Sequence, residues 1–288
     1  MSHTRNLGVF QTAALAIVAG VVAGWLGAHL ASRPAGDPLS RRDAMDDIVA
    51  LKRLRMGYIV FPPAVSNGPS AGNPTGHMID AARYIAAEMN VEVSFQEATW
   101  ATFAAGLQAK QYDVVVAPLF ATPSRAMALN FTEPLYYLGM AMIAKRDDMR
   151  FTSLGDLNNP AVQIAVNQGG ANQLFVKRYC PKAKRTELAA DISQVLSEVI
   201  AGRADAAVAD TWSVTKFVQQ NKGTVQVLFS GRPLDVTAIS WAVRPADTRL
   251  LKFLNTSIQY LDTTGRMKEL EEKYDAHWLH LKREWESN

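Results

Sequence analysis

YDVVVAPLFATPSRAMALNFT, residues 112–132, is the stretch whose reading decides the fold. Val114, Val115 and Val116 are consecutive β-branched residues. Such a run suits a strand buried on both faces of a parallel sheet. Pro118 has no N–H to give to a ladder, so it predicts the end of that strand. A polar turn, Thr122-Pro123-Ser124, then presents Arg125. An arginine just past the carboxyl end of a buried strand sits where open α/β sheets hold ligands. Its planar fork of donors matches a carboxylate at two points. A surface arginine beside a helix start is the competing reading, and position alone does not separate the two.

Working upstream, Leu54–Phe61 is a short strand stopped by Pro62-Pro63, and the Gly-, Pro- and Asn-rich segment 65–75 is a loop. From Gly76 to Met89, apolar residues at Met78, Ile79, Ala82, Ile85, Ala86 and Met89 have helical spacing. Val91–Phe95 alternates as a strand, and Thr99 can cap a helix carrying Phe103 and Leu107. Strand and helix in alternation predict parallel βαβ units.

Downstream, the spacing predicts strands at Leu138–Ala144, Val162–Val166, Ala206–Ala209 and Ile239–Val243. A helical turn spans Leu154–Leu157, and Gln168-Gly169-Gly170 opens a helix. Two glycines there admit a ligand to backbone N–H groups, which favour an anion; an ordinary tight turn would look the same. Asp191 caps a helix whose buried stripe is Ile192, Val195, Leu196, Val199 and Ile200, ended by Gly202. Asp210 follows a buried strand, where it either faces a cleft or caps the helix starting near Thr211. Leu250, Leu251, Leu254, Ile258 and Leu261 line a further helix, separated by Gly265 from a charged one.

The 288 residues suit two lobes of ordinary size, and 48% hydrophobic with 20% charged residues is a globular composition. A net charge of +3 without a long basic run gives no case for nucleic acid. Cys180 is the only cysteine, which excludes an internal disulfide and weighs against zinc. His277 and His280 lack an evident third ligand, and no cofactor motif is present.

Leu7–Ala31 holds no Asp, Glu, Lys or Arg. As a helix it would span roughly 35 Å, enough to cross a bilayer. Trp25 lies near one end, and Gly20 and Gly24 make a small-xxx-small face. The run exceeds the apolar core of an ordinary signal peptide, so an uncleaved anchor is expected, with a cleaved signal as the alternative. Residues 1–32 are thus membrane anchor or signal, and 33–52 a linker.

TGHMIDAARYIAAEM, QYDVVVAPLFATPSRAMALNFTEPLYY, the IAVNQGG turn, AGRADAAVADT and TTGRMKELEEKY occur in this order between Leu54 and Tyr274. In these features the chain resembles the periplasmic solute-binding proteins of the polar amino-acid class, extracellular family 3, which deliver ligands to ABC transporters. The resemblance implies a two-lobed α/β fold of the type II periplasmic-binding-protein kind. Each lobe is a mostly parallel sheet flanked by helices, joined by two hinge strands. The first lobe would comprise 53–141 and 241–288, and the second 142–240.

It further implies an amino acid or related acid as ligand, ABC permease subunits as partners, and a place at the periplasmic face of the cytoplasmic membrane. Arg125 would take the ligand's carboxylate with N–H groups near Gly170 and Ala171, and Asp210 its ammonium. Tyr58, Phe61 and Trp100 would sandwich its side chain, or are core residues. Pro118 and Phe120 depart from the family's Gly and Thr, leaving a more apolar pocket. DAHWLHLKREWESN after Tyr274 is an addition, with an apolar side at Trp278, Leu279, Leu281 and Trp285. The same fold hosts cyclohexadienyl dehydratases, for which Glu133 and Glu97 are the nearby acids on offer. A sensor coupled to a membrane partner is a third reading.

Overall fold

A computed structural model describes residues 43–70, 72–229 and 233–276. The apolar stretch 7–31, His277, His280 and the apolar residues of the tail lie outside the described residues. Among the described residues no helix is long and apolar enough to cross a membrane.

The strands, in chain order, are β1 (Arg53–Tyr58), β2 (Glu92–Glu97), β3 (Val114–Phe120), β4 (Asn130–Phe131), β5 (Tyr136–Lys145), β6 (Gln163–Asn167), β7 (Lys184–Leu188), β8 (Ala206–Asp210), β9 (Val225–Leu228) and β10 (Leu234–Val243). They hydrogen-bond in the order β2-β1-β3-β10-β5-β8-β6-β7, with β4 on β10 and β9 on β5. β1 is parallel to β2 and β3, and β6 is parallel to β7 and β8. Helices connect these parallel strands, as right-handed crossovers require.

The fold is α/β and two-lobed. β5 and β10 carry the chain between its halves. Tyr136–Met140 of β5 pairs with β10, whereas Met140–Ala144 pairs with β8. Likewise β10 pairs with β5 over Leu234–Ile239 and with β3 over Ile239–Val243. Each half has its own apolar packing: Phe103, Leu107, Tyr112 and Val115 in one, Val195, Leu196, Val199 and Phe217 in the other.

Val114, Val115 and Val116 have no exposed surface, as their β-branched run requires. Pro118 does not end the strand as expected, because β3 continues to Phe120. β1 stops pairing at Val116, and the β10 ladder shifts register between Ser240 and Ala242, opposite the proline. A missing donor costs little where the ladder is already interrupted. Thr99 is not the helix cap: Phe103–Gln108 begins after Thr102, whose hydroxyl accepts from Thr99 N. Sequence spacing also left β7 and β9 without a strand assignment.

A helix, Ala44–Leu51, occupies part of the stretch expected to be a linker. Its buried Ile48 docks it on the core. Two aspartates cap each other's helices. Asp43 precedes this helix and accepts from Arg249 N at 2.7 Å and Leu250 N at 3.3 Å, in the first turn of Thr248–Thr263. Asp247 precedes that second helix and accepts from Ala44 N at 2.9 Å. Charged acceptors on orphan amides are favourable in themselves and complement the helix dipole.

Candidate functional site

The carboxyl ends of β1, β6, β7 and β8 converge on a cavity of about 330 Å³. Val60, Phe61, Pro62, Trp100, Pro118 and Phe120 line it from one half, and Asn167, Gly170, Ala171, Asn172, Asp191 and Asp210 from the other. Met140, on the crossing strand β5, lies between them. Its walls are mainly apolar and it holds two carboxylates; no lysine or arginine is among the lining residues.

Asp210 ends β8 and fulfils both readings of the sequence. It is the N-cap of Thr211–Gln220, accepting from Ser213 N at 2.9 Å, and it also lines the cavity. Burial pushes its pKa up, opposed by hydrogen bonds from Ser213 and from the N–H groups of Asp210 and Trp212. No cation pairs with it among the described residues. A buried carboxylate held by amides but without a counter-charge leaves a negative charge at the cavity wall uncompensated.

Arg125 stands on the short helix Pro123–Ala126, whose N-cap is Thr122. It is not among the residues lining the cavity. Its guanidinium donates to Phe120 O at 3.2 Å and, from the other half, to Gly169 O at 3.0 Å. It lies over the Phe103 ring at 5.3 Å. Desolvation alone lowers its pKa to about 10, because no carboxylate faces it. Two carbonyls take two of its five N–H donors and leave the charge uncompensated, which is the condition for recruiting an anion.

The two glycines have uses inside the protein. Gly169 is in the left-handed region, with φ +74°. A Cβ there would come within 2.6 Å of Trp100 O and 2.7 Å of Ala101 Cα. At Gly170 a Cβ would meet Asn172 Oδ1 at 2.3 Å. That amide is fixed by bonds to Asn167 Oδ1 at 3.1 Å and Val208 O at 3.0 Å. The bare backbone here admits the chain's own groups, and Gly170 and Ala171 still present the start of Ala171–Tyr179 to the cavity.

Phe61 meets Trp100 edge-on at 6.4 Å and Trp212 at 6.3 Å, so three rings from both halves gather at one side of the cavity. Tyr58 does not join them. It is buried against Phe95 inside the sheet and does not line the cavity, because it lies within β1 and not beyond its end. Glu133 borders a different surface groove, beside Thr248–Thr263, and Glu97 ends β2 outside the cavity. The sequence reading missed Asp191, Asn167 and Asn172 as lining residues, and Trp212 as the ring that meets Phe61 from the other half. Asp191 and Asn167 do stand at strand-to-helix junctions, a signal that was available. Among the described residues no cluster of three or more metal-binding side chains occurs.

Residues 54–277 match the bacterial extracellular solute-binding proteins, family 3. The chain belongs to that family. This solute-binding protein is 24% identical over 228 residues to the ABC transporter arginine-binding protein 1 of Escherichia coli, covering 78% of this chain and 91% of that one. It is 24% identical to the L-cystine-binding protein of Escherichia coli, over 74% of this chain and 79% of the relative. Among solved structures it is similar to an ancestral amino-acid-binding protein described as a precursor of cyclohexadienyl dehydratase. The TM-score is 0.70 at 28% identity, covering 81% of this chain and 99% of that one. The arginine-binding protein of T. maritima in its holo form gives 0.66 at 27% identity, covering 75% and 93%.

Proposed function

We propose that this solute-binding protein holds an amino acid in the cleft between its lobes and presents it to an ABC permease. The observation that carries this is a pair of opposite charges without counter-charges, Arg125 on one half and Asp210 on the other. A zwitterion supplies the counter-ion for each: its carboxylate takes the Arg125 fork from Gly169 O, and its ammonium takes Asp210. Asp191 adds a second carboxylate to the lining. Two carboxylates and one guanidinium are balanced by a ligand of net charge +1, so a cationic side chain is favoured, with its aliphatic stem against Phe61 and Trp100. Relatives named as arginine-binding fit that preference.

Binding without turnover is the reading for this chain: Glu97 and Glu133 do not border the cavity, and the two carboxylates that do, Asp191 and Asp210, are engaged as helix caps. We assign the lobes as 53–141 with 241–288, and 142–240, and the protein to the periplasmic face of the membrane with 1–32 as its anchor, or to the periplasm where 1–32 is a cleaved signal. The test is a thermal-shift screen of the full chain in detergent. Arginine or lysine at about 100 times its dissociation constant adds about 2.7 kcal/mol of stability. Glutamate and simple carboxylates should give no shift. A shift with glutamate and none with arginine, lysine or glutamine would reject the charge assignment.

A further inference from the structure

Behind the two carboxylates of the cavity wall runs a chain of side-chain amides. We propose that Asn167 and Asn172 are positioning residues, a spacer that fixes the separation of Asp210 from Asp191 and so selects the length of a cationic side chain. The inference rests on the cleft reading above, in which Asp210 takes the ligand's ammonium and Asp191 favours a second cation.

Both asparagines are buried, at 4% and 5% exposure, and both line the cavity. Residue pairing between β6 and β8 covers only Ile164 with Ala206 and Ala165 with Ala207, so it stops short of the cavity ends of both strands. The Asn172 side chain, in the first turn of Ala171–Tyr179, supplies the next link. Its Nδ2 donates to Val208 O at 3.0 Å and to Asn167 Oδ1 at 3.1 Å. Asn167, the last residue of β6, donates in turn from Nδ2 to Ala190 O at 2.6 Å. Val208 lies two residues before Asp210, and Ala190 immediately precedes Asp191. The bonds thus run from the strand that carries one carboxylate to the loop that carries the other. Asn172 Oδ1 accepts from Gln173 N at 2.9 Å, so turning the amide over would set its oxygen against two acceptors. Gly170 leaves room for this relay, since a Cβ there would meet Asn172 Oδ1 at 2.3 Å and Asn167 Cβ at 3.0 Å. Asp191 and Asp210 each give Oδ1 to a helix cap, on Gln194 N and Ser213 N. The caps orient the carboxylates, and the asparagines set the distance between them. A side chain whose cation matches that distance meets both; a shorter or longer one forfeits Asp191. Because Asp191 is exposed, the matched contact contributes up to about fivefold in affinity.

The test is calorimetric titration of the full chain in detergent micelles with lysine, ornithine and diaminobutyrate, whose side-chain ammonium stands at different reach. Norleucine, which has no side-chain cation, is the reference that cancels a general loss of affinity. In the parent, the ratios to norleucine should differ by about fivefold between the best and the poorest length. Asn167→Ala and Asn172→Ala should each level these ratios to within about twofold. In an Asp191→Asn background, adding Asn167→Ala should move none of them. Circular dichroism and melting verify the fold of each variant, and either asparagine variant suffices where the other does not fold. A folded variant with the parent's ratios would overturn the spacer, because a residue that serves the fold alone lowers every affinity by one factor. Equal ratios for all lengths in the parent would overturn it too, while leaving the zwitterion reading in place. A parent that binds none of these amino acids rejects both.

Discussion

Two buried aspartates, Asp113 and Asp210, sit at opposite ends of their strands and in opposite electrostatic company. Asp113, just before β3, accepts from Arg55 at 2.6 and 3.0 Å and from Arg244 at 3.2 Å. Arg244 in turn reaches Asp247 at 2.7 Å and the carbonyls of Leu107 and Tyr112. Every charge there has an opposite within reach. Asp210, at the carboxyl end of β8, has only amides and a serine. The difference teaches where this molecule keeps structure and where it keeps function. Matched buried charges tie β1, β3 and β10 together, whereas Asp210, unmatched, lines the cavity, where the proposed ligand would supply its partner.

The sharpest way to break that comparison is Arg125→Ala. It removes the cation the ligand's carboxylate requires, and affinity should fall by about 3–5 kcal/mol, more than a hundredfold. Calorimetric titration measures it, and a loss under tenfold would place the carboxylate elsewhere. Asp113→Ala should do the reverse. It removes the carboxylate that Arg55 and Arg244 share, leaving Arg244 with Asp247, and should lower stability by about 1.5–3 kcal/mol, roughly 3–12 °C in Tm, with affinity retained.

Asp210→Asn comes next. Asparagine keeps the helix cap, so the fold stays, while loss of the charge should weaken binding by about 1.5–3 kcal/mol. Its pH behaviour follows from sign. The folded pKa of Asp210 is raised by burial, so the native state holds its proton more tightly than the unfolded chain. The ionised form therefore lowers ligand-free stability at neutral pH, and acidification through the raised pKa relieves this. Affinity moves the other way, falling as protonation removes the ammonium's partner. Asp210→Asn should flatten both slopes in the range above the ordinary carboxylate value of about 4. Asp80 offers the contrasting arm. Burial raises its pKa, but bonds from Lys273, Tyr274 and Arg83 outweigh this and hold it low. Its contribution is present above the unfolded value and fades as pH falls. Asp191→Asn should have the smallest effect, about 0.2–1 kcal/mol of discrimination between lysine and glutamine, because Asp191 is exposed and water screens it.

Much of this was legible in the sequence because the signals are local. The valine run, the Asp191 cap and the stripe of the helix Ile192–Ile200 each follow from residues a few positions apart. Pro118 misled because its tolerance depends on a register shift in β10, more than a hundred residues away. β7, reading Lys-Arg-Thr-Glu-Leu, is a parallel strand without an apolar run, so composition gave no sign of it. In the site, Arg125 and Asp210 stood out as charges at strand ends. Tyr58 did not belong with them, since it is the last residue of β1 and packs on Phe95, whereas Phe61 lies past the strand and lines the cavity. Trp212 was missed because its contact with Phe61 exists only when the halves meet.

The reciprocal capping between Asp43 and Asp247 joins segments that translation separates by some two hundred residues. Cutting the chain at Leu54, where the family's match begins, would discard Asp43 and Ile48 together. Amides of Arg249 and Leu250 would lose their acceptor, and Asp247 its donor at Ala44. A recombinant fragment meant to stay folded should therefore start ahead of Asp43, and a protease nick just after that residue would be felt at the far terminus first.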